Sequence, residues 1–239
     1  KIENPEIKII TIEDPIEYHL KGISQTQVAP EKGYNFSDGL RSIVRQDPDV
    51  ILVGEIRDLE TVKIALQASL TGHLVLSTLH TNDATGTIPR LVDLGAEPAS
   101  IASALSMAIA QRLIRKVCKK CSILEKVSPK FLEEFKKNLS NLPKNIKIPK
   151  LDSNLKIPKK KGCDHCNNAG YKGRVGLYEA FRVDKEIERF ILKNPPASDL
   201  KEMAVKKGMI TMYQSGLIEV VNGVTTMEEV QRIVEIDEA

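Results

Sequence analysis

Three apolar runs in the first half of the chain each lead into acidic or histidine-bearing segments. They read Ile10-Thr11-Ile12-Glu13-Asp14-Pro15, Val50-Ile51-Leu52-Val53-Gly54-Glu55-Ile56-Arg57-Asp58 and Gly72-His73-Leu74-Val75-Leu76-Ser77-Thr78-Leu79-His80-Thr81-Asn82. An apolar strand ending in a carboxylate is what a nucleotide hydrolase uses to orient Mg²⁺ and the attacking water. One such segment is weak evidence, because surface loops often carry Asp and Glu. Three in succession, each after a strand, make coincidence a poor explanation.

A second constellation is built from sulfur. All four cysteines fall into two pairs, Cys118-x-x-Cys121 and Cys163-x-x-Cys166. Each CxxC turn points two thiolates at one metal, and two turns complete a tetrahedron, so the expected group is a structural zinc. The alternatives are a redox CxxC or buried free thiols, and the paired spacing favours zinc over both. His165 is a weaker ligand candidate, because four sulfurs already fill the site. Such usage of cysteine points to a reducing cytoplasm rather than to a secreted disulfide framework.

The elements that must position these groups alternate between strand and helix signals. Residues 7–12 form a β-branched run stopped by Asp14-Pro15. Leu40, Ile43 and Val44 recur at helical spacing up to Asp47-Pro48, and 50–53 is a second apolar strand. Asp58 is placed to cap a helix with Val62, Ala65, Leu66 and Ser69 on one face and Gly72 past its end. Residues 74–78 form a third strand, followed by helices over 84–94, closed by Gly95, and from Pro98. Strands alternating with helices predict a parallel sheet with helices on both faces, its strands buried on both sides. In such sheets ligands sit at the carboxyl ends of the strands, where all three segments fall.

The composition changes at Cys118. Residues 140–161 are rich in Lys, Pro and Asn and read as a solvated loop between the two cysteine pairs. The rest reads as helical, with Asp199 capping a helix closed by Gly208, and Thr225 with Glu228 as a capping box before Val230 and Ile233. No apolar run approaches the roughly 18 residues of a membrane span. The net charge of +3 in 239 residues is too mild to argue for nucleic acid on its own.

Taken together, these segments resemble the secretion and pilus-assembly ATPases of bacteria, the traffic motors of type II secretion and type IV pili. Thr11-Ile12-Glu13-Asp14-Pro15-Ile16-Glu17 is similar to that family's Asp box. Arg45-Gln46-Asp47-Pro48-Asp49 leading into Gly54-Glu55-Ile56-Arg57-Asp58 is similar to its atypical Walker B, and Gly72 to Asn82 to its His box. Gln111-Arg112-Leu113 and Gly170-Tyr171-Lys172-Gly173-Arg174 match as well, so the likeness runs over nearly the whole chain.

The resemblance implies a RecA-like α/β core over 1–117, a tetracysteine zinc subdomain over 118–166 and a helical C-terminal subdomain over 167–239. It implies that Glu13 is a general base or water-orienting carboxylate, steadied by Asp14, and that Glu55 acts on Mg²⁺ or the same water; the two are not ranked. His80 is assigned to the γ-phosphate and His73 to structure. Arg57, Arg45, Arg41 and Arg174 match positions that converge on the nucleotide, a solvated helix face being the competing account of Arg41. The cysteine cluster implies the assembly and secretion branch. Also implied are ATP and Mg²⁺, a homo-hexamer, a peripheral place at the inner membrane beside platform proteins, and no nucleic acid.

One feature departs from the pattern. A phosphate-gripping loop needs Gly-x-x-x-x-Gly-Lys-Ser/Thr, and no Gly-Lys dipeptide occurs anywhere in the sequence. The expectation is a chain that starts after its Walker A segment and does not hydrolyse ATP by itself. Two alternatives stand beside it: a non-catalytic homologue lending arginines to intact subunits, and a zinc-dependent nucleic-acid module.

Overall fold

The computed structural model describes residues 6–234. The chain divides into one unit of Lys1–Ala108 with Arg182–Lys201 and a second of Ile109–Phe181 with Glu202–Ala239.

The first unit is built on a four-stranded sheet of β1 (Ile9–Glu13), β2 (Ser24–Gln27), β3 (Val50–Val53) and β4 (Leu74–Ser77). Its order is β2-β1-β3-β4 and every pairing is parallel. The register sets Ile12 beside Val53 and Val53 beside Ser77, so three strand ends finish level with one another. Helices α1 (Phe36–Val44) and α2 (Leu59–Leu70) pack on the sheet and on each other. Next come α3 (Thr87–Asp93) and α4 (Pro98–Ala104), with Ile101 wholly buried.

Gly39 sets the distance between α1 and β1. A Cβ there would overlap Ile12 Cδ1 and lie 2.8 Å from Tyr34 Oη, so the helix rests directly on the strand. Asp58 caps α2 as expected, its side chain accepting from Thr61 N.

Several expectations shift. Ser24–Gln27 is a strand that the sequence pattern does not announce, because a four-residue polar run has no apolar period to reveal it. The 84–94 helix begins only at Thr87, since Asp83 Oδ1 accepts from Gly86 N at 2.7 Å and from Thr85 Oγ1 at 3.1 Å and holds a turn there. β4 is an edge strand, and Leu74 and Leu76 are 50% and 42% exposed rather than buried on both sides.

The long strands β5 (Met107–Val117) and β8 (Tyr171–Arg182), all but their first-unit ends in the second unit, form a ribbon. Between them lie β6 (Ile123–Lys126), α5 (Pro129–Asn138) and β7 (Lys156–Lys159). β6 and β7 pair antiparallel, so the lysine-rich stretch is not loop throughout: its last part folds back as a strand. The chain then returns to the first unit, where α6 (Lys185–Ile191) packs on α4. Helix α7 (Ala197–Lys206) leads back to α8 (Met212–Val221) and α9 (Met227–Ile233). The core of the second unit is Ile114, Phe135, Leu177, Tyr213, Leu217 and Val230.

Two helix starts differ from the expected caps. α7 starts at Ala197, and Asp199 lies in its first turn, where a negative charge suits the helix dipole. The cap of α9 is Thr226, accepting from Glu229 N, while the Thr225 side chain turns to β5 and donates to Arg115 O at 2.8 Å.

Candidate functional site

Hydrogen bonds bind the level strand ends of the first unit into one patch. Gly54 N donates to Ile12 O at 2.7 Å, Thr78 Oγ1 to Gly54 O at 2.6 Å and Ile56 N to Thr78 O at 3.0 Å. Gly54 has a steric reason to be glycine, since a Cβ would sit 3.3 Å from both Glu13 Cα and Ile12 O. A larger residue there would push β1 and β3 apart where their carboxylates emerge.

The two carboxylates are held differently. Glu13 is half-buried, and its Oε1 accepts from Thr11 Oγ1 at 2.5 Å and from Gln25 Nε2 at 2.9 Å. Among the described residues its Oε2 makes no hydrogen bond, so that oxygen stays available. Glu55 has both oxygens engaged: Oε1 lies 2.5 Å from an Arg57 amino group and Oε2 3.1 Å from His80 Nε2. The Arg57 hydrogen bond holds the Glu55 carboxyl below its ordinary value; burial opposes it and His80 assists. Glu55 in turn raises Arg57, with a further contribution from Asp14.

Glu13, Glu55, Arg57 and His80 therefore gather at one end of the sheet, with Asp14 exposed beside them. Arg41 lies apart from this group: it pairs with Asp38 at 3.4 Å and with Glu60 on the exposed faces of α1 and α2. Arg45 is the exposed C-cap of α1, and Arg174 is exposed on β8 in the other unit. His73 Nδ1 is bonded to Ala68 O at 2.9 Å and Thr71 Oγ1 at 3.2 Å, at the end of α2. Gln25 and Thr78 also belong to the patch. Thr78 lies within the histidine-bearing segment read from the sequence, whereas nothing in the local pattern around Gln25 flags it.

The second unit gathers the four cysteines. Their sulfurs all lie within 4.8 Å of one another, with Cys118–Cys163 at 3.9 Å, Cys121–Cys166 at 3.8 Å and Cys163–Cys166 at 3.7 Å. A disulfide needs about 2.05 Å, so no pair is bonded. Sulfurs at about 2.3 Å from a tetrahedral Zn²⁺ stand about 3.8 Å apart, which these spacings match. Backbone N–H groups of Cys163 and Gly170 point at Cys166 Sγ from 3.4 and 3.3 Å. Burial, with the neighbouring sulfurs, pushes the Cys121 thiol up to about 12. Burial also penalises the Cys166 thiolate, but those two N–H groups help draw it down to about 7. Four crowded sulfurs cannot all ionise without a cation among them. His165 is exposed and outside the sulfur group.

The chain matches the family described as type II/IV secretion system protein over residues 1–232. It is 44% identical over 230 residues to the type IV pilus assembly ATPase PilB of Thermus thermophilus, covering 96% of this chain and 25% of that protein. It is 42% identical over 232 residues to the putative type II secretion system protein E of Escherichia coli, covering 97% and 44%. Among solved structures, it is similar to the pilus retraction motor PilT with bound ADP, with TM-score 0.65, 30% identity, and 97% and 53% of the two chains covered. The Legionella pneumophila ATPase DotB shares the fold at TM-score 0.63 and 23% identity, with 94% and 50% covered. The chain thus spans less than half the length of the two curated relatives, PilB and protein E.

Proposed function

The chain belongs to the type II/IV secretion system protein family, and from that premise we propose that it forms the catalytic part of a cytoplasmic ATPase motor for type II secretion or type IV pilus assembly. The observation that carries this reading is the convergence of Glu13, Glu55, Arg57 and His80 at one sheet end. Relatives named as a type IV pilus assembly ATPase and a putative type II secretion system protein E support it.

Within that site Glu13 is the better general base. One of its oxygens is fixed by Thr11 and Gln25 while the other faces no described partner, so it is oriented and still able to take a proton from water. Glu55 is held charged by Arg57 and is therefore a poorer base. Its role is to anchor Arg57 and His80 at the place where phosphoryl charge develops. Bound Mg²⁺ supplies neutralisation of the phosphate oxygens, and the carboxylates at this sheet end fit a hard cation. Arg45 and Arg174 are assigned to nucleotide contacts on the family pattern alone. Arg41, already paired with two acids, is assigned to the helix surface.

The four cysteines are assigned to one structural zinc: four thiolates leave no open coordination position for chemistry. A homo-hexamer at the inner-membrane platform completes the reading.

The direct test measures ATP turnover by the full-length protein carrying this chain, with and without Glu13→Gln. We expect loss of roughly 10²- to 10⁴-fold on substitution; undiminished turnover would overturn the reading. The 239 residues by themselves, with no Gly-Lys, are expected to turn over no ATP above background. A second reading, a non-catalytic partner of intact subunits, is favoured by that same missing dipeptide. It predicts that the full-length protein is also inactive, and that turnover appears only on mixing with an intact homologue.

A further inference from the structure

Parallel neighbours usually need a crossover of a dozen or more residues, commonly a helix. Between β1 and β2 only residues 14–23 intervene, without helix or strand. This loop begins at the Glu13 carboxylate and carries Tyr18 and Leu20 at 79% and 53% exposure. The hydrogen bonds that pin it come from two β2 side chains. Ile16 N donates to Gln27 Oε1 at 3.2 Å, Leu20 N donates to Gln25 Oε1 at 2.6 Å, and Gln25 Nε2 donates to Tyr18 O at 3.0 Å.

Gln25 does this while also donating to Glu13 Oε1. Its partners fix its orientation: turned over, the amide would set its oxygen against two oxygens and its NH₂ against an N–H. The β1–β2 register pairs Thr11 with Gln25, so both stand side by side and reach the carboxylate two residues ahead. Both of their bonds fall on the same oxygen, and the other makes no hydrogen bond among the described residues.

We infer that Gln25 is a positioning residue that ties the orientation of the Glu13 carboxylate to the conformation of the 14–23 loop. The inference rests on Glu13 being the base. Gln25 touches neither water nor nucleotide in this role; it acts through Glu13. A contact that shifts Tyr18–Leu20 draws the amide away and leaves the carboxylate held by Thr11 alone.

The test is made in the full-length protein. Gln25→Ala should lower kcat roughly ten- to a hundredfold, the scale of a misplaced reacting group, with KM for ATP and thermal stability little changed. It should also speed hydrogen exchange at the Leu20 amide. Gln25→Glu, of almost the same shape, sets a second carboxyl against Glu13. Its turnover should recover towards lower pH, as that carboxyl is protonated and regains a donor. Thr11→Val should give a smaller kcat loss. Full turnover in Gln25→Ala while Glu13→Gln is inactive would overturn this inference alone. Loss of kcat, KM and thermal stability in step would also overturn it, because that is the mark of a local fold defect. Full turnover in Glu13→Gln would instead remove the assignment beneath it.

Discussion

Glu13 and Glu55 carry the same functional group, yet their surroundings hold them differently. Two neutral donors steer one oxygen of Glu13 and leave the other open, whereas Glu55 sits between a guanidinium and an imidazole. Replacing Glu55 by Gln removes the charge that fixes Arg57, so turnover should fall and nucleotide affinity should fall with it. Glu13→Gln should spare affinity. Equilibrium binding of a non-hydrolysable ATP analogue to both variants of the full-length protein separates the two outcomes. The lowered pKa of Glu55 also has a pH consequence. Its stabilising contacts are complete above the ordinary carboxylate value of 4.5 and are lost only as pH falls through the lowered folded value. The acidic residues could be picked from the sequence by their place after apolar strands. How each is held could not, because it depends on Gln25 and His80 arriving from other segments of the chain.

At the scale of elements, α9 is fastened to β5 by one buried acid. Glu229 has a fully buried side chain bonded to Arg115 N, to the Arg115 guanidinium at 2.7 Å and to Arg232 at 2.8 Å. Burial alone would raise its pKa; the two arginines together outweigh that and bring it to about 2. Arg115 also stacks 4.3 Å from the Tyr171 ring centre, which joins β8 to the same knot. Because both guanidinium groups remain partly exposed, Glu229→Gln should cost about 2–3 kcal/mol rather than the full amount for a buried pair. Denaturant unfolding at neutral pH measures this. The contribution should be whole above pH 4.5 and disappear as pH falls towards 2, so the variant and the parent converge in acid. A second element-scale prediction concerns Gly39. Gly39→Ala should destabilise the first unit by about 1–3 kcal/mol through overpacking against Ile12. The capping signals of α2 were legible in sequence because they are local. The cap of α9 lies one residue beyond the one its sequence pattern suggests, and the Thr225 side chain is turned instead towards β5, donating to Arg115 O.

For the molecule as a whole, the carboxylate patch and the cysteine cluster reside in different units, the patch in the first and the cluster in the second. Metal analysis of the chain, purified under reducing conditions without chelator, should find about one zinc per chain, as one tetrathiolate site requires. Stripping that zinc, or replacing Cys118 by Ser, should speed amide exchange around residues 118–122 and 163–170. The strands β1 and β3 should be left unchanged. An equal effect on both units would contradict a purely local structural metal.

The sequence by itself determined the alternation of strand and helix, the family, the acidic and histidine segments, and the paired cysteines. These are written in short-range pattern: apolar period, spacing within a turn, and residues at a strand's end. Only the tertiary structure decided that Ser24–Gln27 joins the sheet, that Leu74 and Leu76 face outward at its edge, and that Arg41 is occupied by Asp38 and Glu60. It also decided which oxygen of Glu13 accepts from Thr11 and Gln25. The reason is that a hydrogen bond or ion pair between distant segments depends on register and approach, and single side chains carry no local signal of either.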